Sequence, residues 1–473
     1  MGSVEADFSS SVIWKDSPKY EEARVGRVFN HRRPDRYPRA VVEATSVKDI
    51  VNAVLLAREL NVRVSVRSGG HSWAAWSVRE DAVLVDLGKF RRLEYNEETS
   101  TVTVSPSTTG RILNGFLTTK GKLFAGGHCP DVGLGGFLLQ GGMGWNCKNW
   151  GWACEKIKAI EVVTAEGKVL TCNKDENTCL YWAARGAGPG FPGIITAFHL
   201  EVRDAYSCMM SSTFQWPISK YQEVMDWVVK IAPQCDESVE VVSVGLRPDP
   251  TKDPIILAGF LSFQNSEEAA KKSLSVVNET RPAGTIMEAM CLPTTLEKEY
   301  CAQDLANPHG HRYTSENAYI ENDANVSEVL REAFTTLPEG TKTFALYFAM
   351  NPCSRREPSG MALSMQSDHY FALYTVWEDA KDDERCQTWV KDVMAGVEKH
   401  SVGAYLGDSD FQVRRTKFWG DSQARRLMHV RRDYDPEGII CGYLDQGDKS
   451  GVAGLDNVFE WQQRPEWDLT STL

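Results

Sequence analysis

Two glycine-rich turns carry the side chains best suited to chemistry. Residues 121–145 read GKLFAGGHCPDVGLGGFLLQGGMGW, with nine glycines around the adjacent pair His128 and Cys129. Glycine lets the backbone reach φ > 0 and approach a ligand without a Cβ in the way. A thiol in such a surface could be a nucleophile, a covalent tether or an inert buried sulfur. His128 and Cys129 as a hydrolytic pair are disfavoured, because neighbouring residues rarely present nucleophile and base to each other. The second turn, at the end of VRVSVRSGGHSW (Val62–Trp73), places Arg67, Ser68, Gly69, Gly70, His71 and Ser72 after an alternating strand. Its free backbone N–H groups and preceding arginine suit an anion. Neither turn is a standard phosphate loop: GLGGFL lacks the third glycine of G-x-G-x-x-G, and no G-x-x-x-x-G-K-[ST] occurs. A histidine and a cysteine in separate glycine turns suggest one large, flat, anionic ligand reached from two sides.

The elements around these turns are short and mixed. Ser46 opens a helix through a Ser-x-x-Asp49 capping box, its apolar positions Ile50, Val51, Val54, Leu55 and Leu60 recur at helical spacing, and Asn61 can end it. Strands are expected over residues 62–66, 82–87, 101–105 and 194–202, with a helix over about 109–120 and a hairpin over 159–171 turning at Glu166-Gly167. Residues 20–40, with Pro18, Pro34 and Pro38 around them, read as an extended lead-in. From about residue 207 the pattern changes to amphipathic helices (218–231, 266–277, 382–397) and strands (255–263, 343–350, 369–377). The whole is an α+β chain with helices over an antiparallel sheet in its middle, and no Rossmann βαβ unit.

Composition narrows the partners. The 52 Lys+Arg against 64 Asp+Glu leave a net charge of −12 without a basic run, which argues against nucleic acid and anionic membranes. Apolar and charged fractions of 42% and 25% are those of a globular protein. No eighteen-residue apolar stretch is present and no signal peptide is visible, so the expectation leans intracellular, or secreted if a presequence was trimmed. Twelve cysteines are too sparse for a disulfide scaffold and fit no zinc spacing. His309 and His311 in NPHGHRY, with Cys301 nearby, read as a polar rim loop rather than a metal site, so no metal is expected. Trp145, Trp150 and Trp152 could stack on a substrate or simply pack.

RSGGHS together with GHCPDVGLGG resembles the berberine-bridge-enzyme-like FAD-linked oxidases of the vanillyl-alcohol oxidase superfamily. The likeness continues through Leu180–Val202 and in RLMHVRRDYDP near the end. It implies a two-subdomain FAD-binding domain of the p-cresol methylhydroxylase type over residues 1–206, an inserted substrate-binding domain over 207–400, and a return to the first domain with a tail over 401–473. It implies FAD held covalently by His71 and Cys129, with Arg67, Ser68, Gly69, Gly70, Ser72, Gly127, Val132, Gly133, Gly136, Gly142, Gly144, Gly193 and Ile195 around it. Val132, three positions past the cysteine, stands at the family's gate for oxygen. The implied reaction moves a hydride from an alcohol-type carbon to the flavin, O2 being reduced to H2O2. The substrate is a bulky secondary metabolite or a carbohydrate, and a monomer is expected.

The catalytic base is expected at Tyr405, because Gly403–Gly407 matches the family's second catalytic strand. A phenol of ordinary pKa near 10 serves as base only if a neighbour lowers it. On HYFALYTVW (His369–Trp377), strand alternation puts Tyr370 and Tyr374 on one face, as flavin contacts or partners of Tyr405. Departures from the family pattern are Gly407 for asparagine, Ser422 for asparagine, Glu155 in WACEK, and Phe191-Pro192-Gly193. They keep two alternatives open: a flavin-binding protein without turnover, and a dehydrogenase using another acceptor.

Overall fold

The fold is that of a computed structural model, which describes residues 12–249, 251–411, 413–414 and 416–442. The C-terminal tail expected beyond Gly442 lies outside them. Three sheets organise the chain. The first has four strands in the order Val12–Trp14, Ala40–Glu43, Val83–Asp86, Val64–Arg67, the last three mutually parallel. The second is a five-stranded antiparallel sheet ordered Leu93–Asn96, Thr101–Val104, Gly193–Glu201, Ile157–Thr164, Val169–Asn173. The third has eight antiparallel strands, from Met287–Thr294 at one edge through Cys208–Pro217, Ile255–Gln264, Val239–Leu246, Phe344–Ala349, His369–Trp377 and Arg312–Ile320 to Ser401–Gly403 at the other.

Local chemistry sets the elements near the site. Ser46 accepts from the Asp49 N–H and Asp49 returns the bond to the Ser46 N–H, so two of the orphan donors at the start of helix Val47–Glu59 are satisfied. Asn61, at φ 52°, turns the chain into strand Val64–Arg67, and so delivers RSGGHS to the strand's end. The helix buries Ile50, Ala53, Val54 and Ala57 against Val42, Val64, Val83 and Val85 of the first sheet. Ile440 joins this core: the Val64 N–H donates to Ile439 O at 2.7 Å and the Cys441 N–H to Val64 O at 2.8 Å. The end of the described chain thus lies beside the strand that feeds His71.

The eight-stranded sheet has two unlike faces. One is covered by helices Tyr221–Ile231 and Asp383–Val397, which bury Val241, Ala258, Phe371 and Leu373. The other faces the glycine-rich turns. Three features differ from the sequence expectation. Residues Tyr20–Val25 form a short helix inside the stretch expected to be extended. The helix expected over 266–277 is two pieces, Glu267–Ser273 and Ser275–Thr280. Residues 312–320, expected to begin as loop, are a fully paired strand. Among the described residues, no helix is long and apolar enough to cross a membrane.

Candidate active site

A cavity of about 900 Å³ lies between the glycine-rich turns and the open face of the eight-stranded sheet. That is near the upper end for a single small-molecule pocket. Ser68, Gly69, Gly70, His71, Ser72, Gly127, Cys129, Val132, Gly133, Gly136, Gly193 and Ile195 all line it. Two glycines hold the turns together: a Cβ on Gly69 would lie 2.5 Å from the Gly133 N, and one on Gly133 would lie 2.7 Å from the Gly69 N. The backbone of both turns therefore forms one wall, with no side chain between it and a ligand.

Three expected cofactor residues have other roles. The Arg67 guanidinium is 2% exposed and holds Asp86 at 2.5 and 2.9 Å, with the carbonyls of Ala23 and Arg24. It braces the strand that feeds the turn, and it also contributes to the cavity lining. Gly142 and Gly144 lie outside the cavity lining: a Cβ on Gly142 would meet Ala153 and Phe137, and one on Gly144 would come 2.2 Å from Ala125 O.

His71 and Cys129 face the cavity from the two turns. His71 Nε2 lies 3.2 Å from Asp131 Oδ2, and its ring stacks on Phe29 at 4.4 Å. Burial pushes the Asp131 carboxyl up, but the hydrogen bond from His71 and the charge of His309, 2.9 Å away, outweigh it and hold the group below its ordinary value. Burial, and then the nearby Asp131 and Asp408, push the Cys129 thiol up to about 12. All twelve cysteines are free.

Opposite the turns stands a group of oxygen-bearing side chains around Asp408. The Tyr370 hydroxyl donates to Asp408 Oδ2 at 2.5 Å, and Tyr374 also bonds to this carboxylate. Burial raises the Asp408 pKa against the opposing effect of the two phenols. Tyr405 lines the same wall; its hydroxyl accepts from the Met143 N–H at 3.2 Å, and its ring meets Tyr370 and Trp152. Burial, then the charge of Asp408, raises the Tyr405 pKa, the reverse of what a phenolic base needs.

The turn that carries Tyr405 and Asp408 is fixed by the strand Arg312–Ile320. Asn317 pairs both ways with the Tyr405 backbone, at 2.7 and 2.8 Å. Ser315 Oγ donates to Asp408 O at 2.8 Å, and Ser315 O accepts from the Asp410 N–H at 2.8 Å. Sequence reasoning missed Asp408, Asp131 and this bracing strand. The visible signal was the Tyr405-Leu-Gly-Asp408 run itself.

The remaining candidates sort by position. Trp145 lines the cavity against His128, whereas Trp150 stacks on Tyr206 at 5.5 Å and Trp152 is buried beneath Tyr405. His311 pairs with Glu378 and Arg312 with Asp383. Among the described residues no cluster of three His, Cys, Asp or Glu side chains could hold a metal ion. Ser422 is exposed on helix Asp421–Tyr434, away from the cavity, so its departure from the family pattern does not touch the site. Glu155 is tied to Arg356 at 3.0 Å.

Comparison with known proteins places this geometry. An FAD binding domain family matches residues 38–173. The FAD-linked oxidoreductase janO of Penicillium janthinellum is 37% identical over 437 residues, covering 92% of this chain and 97% of that protein. Among solved structures, the Physcomitrella patens BBE-like 1 protein superposes with a TM-score of 0.81 at 18% identity, over 93% of this chain and 97% of that one. Wild-type Phl p 4.0202, described as a glucose dehydrogenase, gives 0.78 at 19% identity, over 91% of this chain and 95% of that one. An isoleucine-to-valine variant of Phl p 4 is described as a glucose oxidase. The glycine-walled cavity fits a flat dinucleotide cofactor, and the relatives supply its identity: the chain belongs to the FAD-linked oxidoreductases.

Proposed function

We propose that this oxidoreductase is a bicovalently flavinylated oxidase, with FAD attached through His71 and Cys129. It oxidises an alcohol-type carbon of a bulky small molecule and passes the electrons to O2, giving H2O2. The observation that carries this reading is that His71, Cys129 and the Asp408 group face one cavity from opposite walls. Bound FAD supplies the hydride acceptor and the route to oxygen. The chain supplies placement and the proton acceptor. Asp408 takes the substrate hydroxyl proton, so that no protonated carbonyl forms as the C–H bond breaks. Tyr370 and Tyr374 hold the carboxylate by donating to it, and Tyr405 holds the hydroxyl end against the wall. A raised pKa makes the buried Asp408 carboxylate a stronger base than a free one, whereas the same direction of shift keeps the Tyr405 phenol protonated and so unable to accept a proton.

Oxygen as acceptor is supported by Val132, which lines the cavity at the family's gate position. The change of description between Phl p 4 and its valine variant points the same way. The division at about residues 206 and 400 is part of this reading, the middle segment forming the substrate wall. The test is anaerobic addition of candidate alcohols to the purified yellow protein. The expected result is bleaching of the flavin, then recovery in air with one H2O2 per turnover. A protein that stays yellow against broad alcohol and sugar panels would instead be a flavin holder.

A further inference from the structure

The wall that faces the flavin side carries an uncovered apolar panel. On strand Val239–Leu246, residues 241, 243 and 245 are buried while Val242, Val244 and Leu246 are only half-buried. The same holds for Leu257 on the neighbouring strand, and for Phe344 and Leu346 on the other side. All six line the cavity. Their register makes continuous rows: Leu257–Val244–Leu346, Leu246–Phe344–Tyr374, and Gly259–Val242–Phe348–Tyr370. The panel therefore ends on the two tyrosines that hold Asp408. Three strands at about 4.8 Å spacing and five residues at about 3.4 Å give a surface of about 10 by 13 Å. Its side chains hold no donor or acceptor, and its backbone groups are spent in the sheet ladder. Polar side chains stand at its margins: Ser211, Thr213 and Glu240 on one flank, the Asp408 group on the other, and Arg247 and Lys342 at its end.

We infer that the substrate is a rigid, largely hydrocarbon fused-ring molecule that lies flat on this panel and presents a single hydroxyl to Asp408, and that it is not an oligosaccharide. The inference rests on the reading of the cavity as an alcohol-oxidising site. A hydroxyl pressed onto the panel loses water and gains no partner, at a cost on the order of tenfold in affinity each. A disaccharide carries hydroxyls round the edge of each ring, so seating it on the panel leaves several of them without a partner. A hydrocarbon skeleton instead covers six side chains that are otherwise left facing the cavity.

The experiment uses the flavin-loaded protein with testosterone and other fused-ring secondary alcohols against cellobiose and xylobiose. Binding is read from quenching of tryptophan fluorescence, since Trp73, Trp76 and Trp145 line the cavity. Reaction is read separately from flavin absorbance. At least one fused-ring alcohol should bind about 100-fold or more tightly than either disaccharide. Val244→Asp should weaken it by at least tenfold, and the near-isosteric Val244→Thr by a smaller factor, at unchanged flavin content. Disaccharides binding more tightly, or fused-ring alcohols failing to bind at all, would overturn the substrate class and leave the oxidase reading standing. Tight binding that is weakened at Val244 but never bleaches the flavin upholds the substrate class and counts against the oxidase reading.

Discussion

Replacing Asp408 by asparagine changes little except charge, which makes it the sharpest test of the proton acceptor. The amide keeps the shape of the group and can still accept from Tyr370, now at 2.5 Å from Oδ2. What it cannot do is take a proton from the substrate. Loss of a positioned base slows the step by about 10²–10⁴-fold, a barrier increase of about 3–5 kcal/mol. Stability moves in the opposite direction. Burial raises the Asp408 pKa, so the folded protein binds this proton more tightly than the unfolded chain does. The stability contribution is then full below the unfolded value near 4 and is lost as pH rises through the raised folded value. Asparagine escapes that loss. Asp408→Asn should therefore bleach slowly yet melt at a higher temperature than the native protein at pH 8, the difference narrowing at acid pH. Single-turnover anaerobic stopped flow is the assay, because product release can mask a chemical defect. Native flavin reduction should also speed up as pH rises through the Asp408 pKa. Reduction at the native rate in Asp408→Asn, with collapse in Tyr405→Phe, would return the base to Tyr405 and refute the reasoning.

Mass spectrometry of the acid-denatured protein should show FAD retained, with Cys129→Ala and His71→Ala each keeping one link; flavin wholly released by acid from the native chain would remove the covalent assignment. Val132→Ile should slow reoxidation of the photoreduced enzyme in air by at least tenfold while leaving anaerobic reduction unchanged, and equal reoxidation rates would place the oxygen path elsewhere. Glu316, fully buried on the bracing strand with Arg414 Nε 3.8 Å away, is pushed by burial up to about 7. Its stabilising contribution is thus complete near pH 4 and lost by about pH 7, on the order of 3 kcal/mol. Thermal melts of Glu316→Gln should fall less steeply between pH 5 and 8 than those of the native protein, and parallel curves would contradict this.

The parts of the fold that were legible in the sequence are those governed by local rules. The Ser46 capping box, the hairpin turning at Gly167 and the alternation of residues 369–377 each depend on near neighbours, and each stands where it was expected. The glycine turns were legible as a ligand surface, but not which glycines face the ligand. Gly142 and Gly144 are glycine because other backbone and side chains crowd them, a reason invisible in a string of letters. The strand Arg312–Ile320 was hidden for a different cause. Its Ser315, Glu316 and Asn317 are fully buried, which breaks the alternation that marks a half-exposed strand. Those polar groups are buried because they bind the turn that carries Tyr405 and Asp408, so the irregular sequence is the trace of the site.

The same turn gives a steric reason for proposing Asp408 rather than Tyr405 as the proton acceptor. A Cβ on Gly407 would lie 2.4 Å from Cε1 of Tyr405 and 2.8 Å from its hydroxyl oxygen. The tyrosine ring folds back over residue 407 and occupies the space that an asparagine side chain there would need. Its hydroxyl points to the Met143 N–H, whose hydrogen bond favours the phenolate but is outweighed by burial and the charge of Asp408. The chain then supplies a carboxylate one residue further on, already bonded by Tyr370 and Tyr374 from the adjoining strand. The glycine at 407, the folded-back ring of Tyr405 and the placement of Asp408 belong to one short turn. Under the proposed mechanism, Gly407 is the residue that lets a buried acid stand in place of a phenol as proton acceptor.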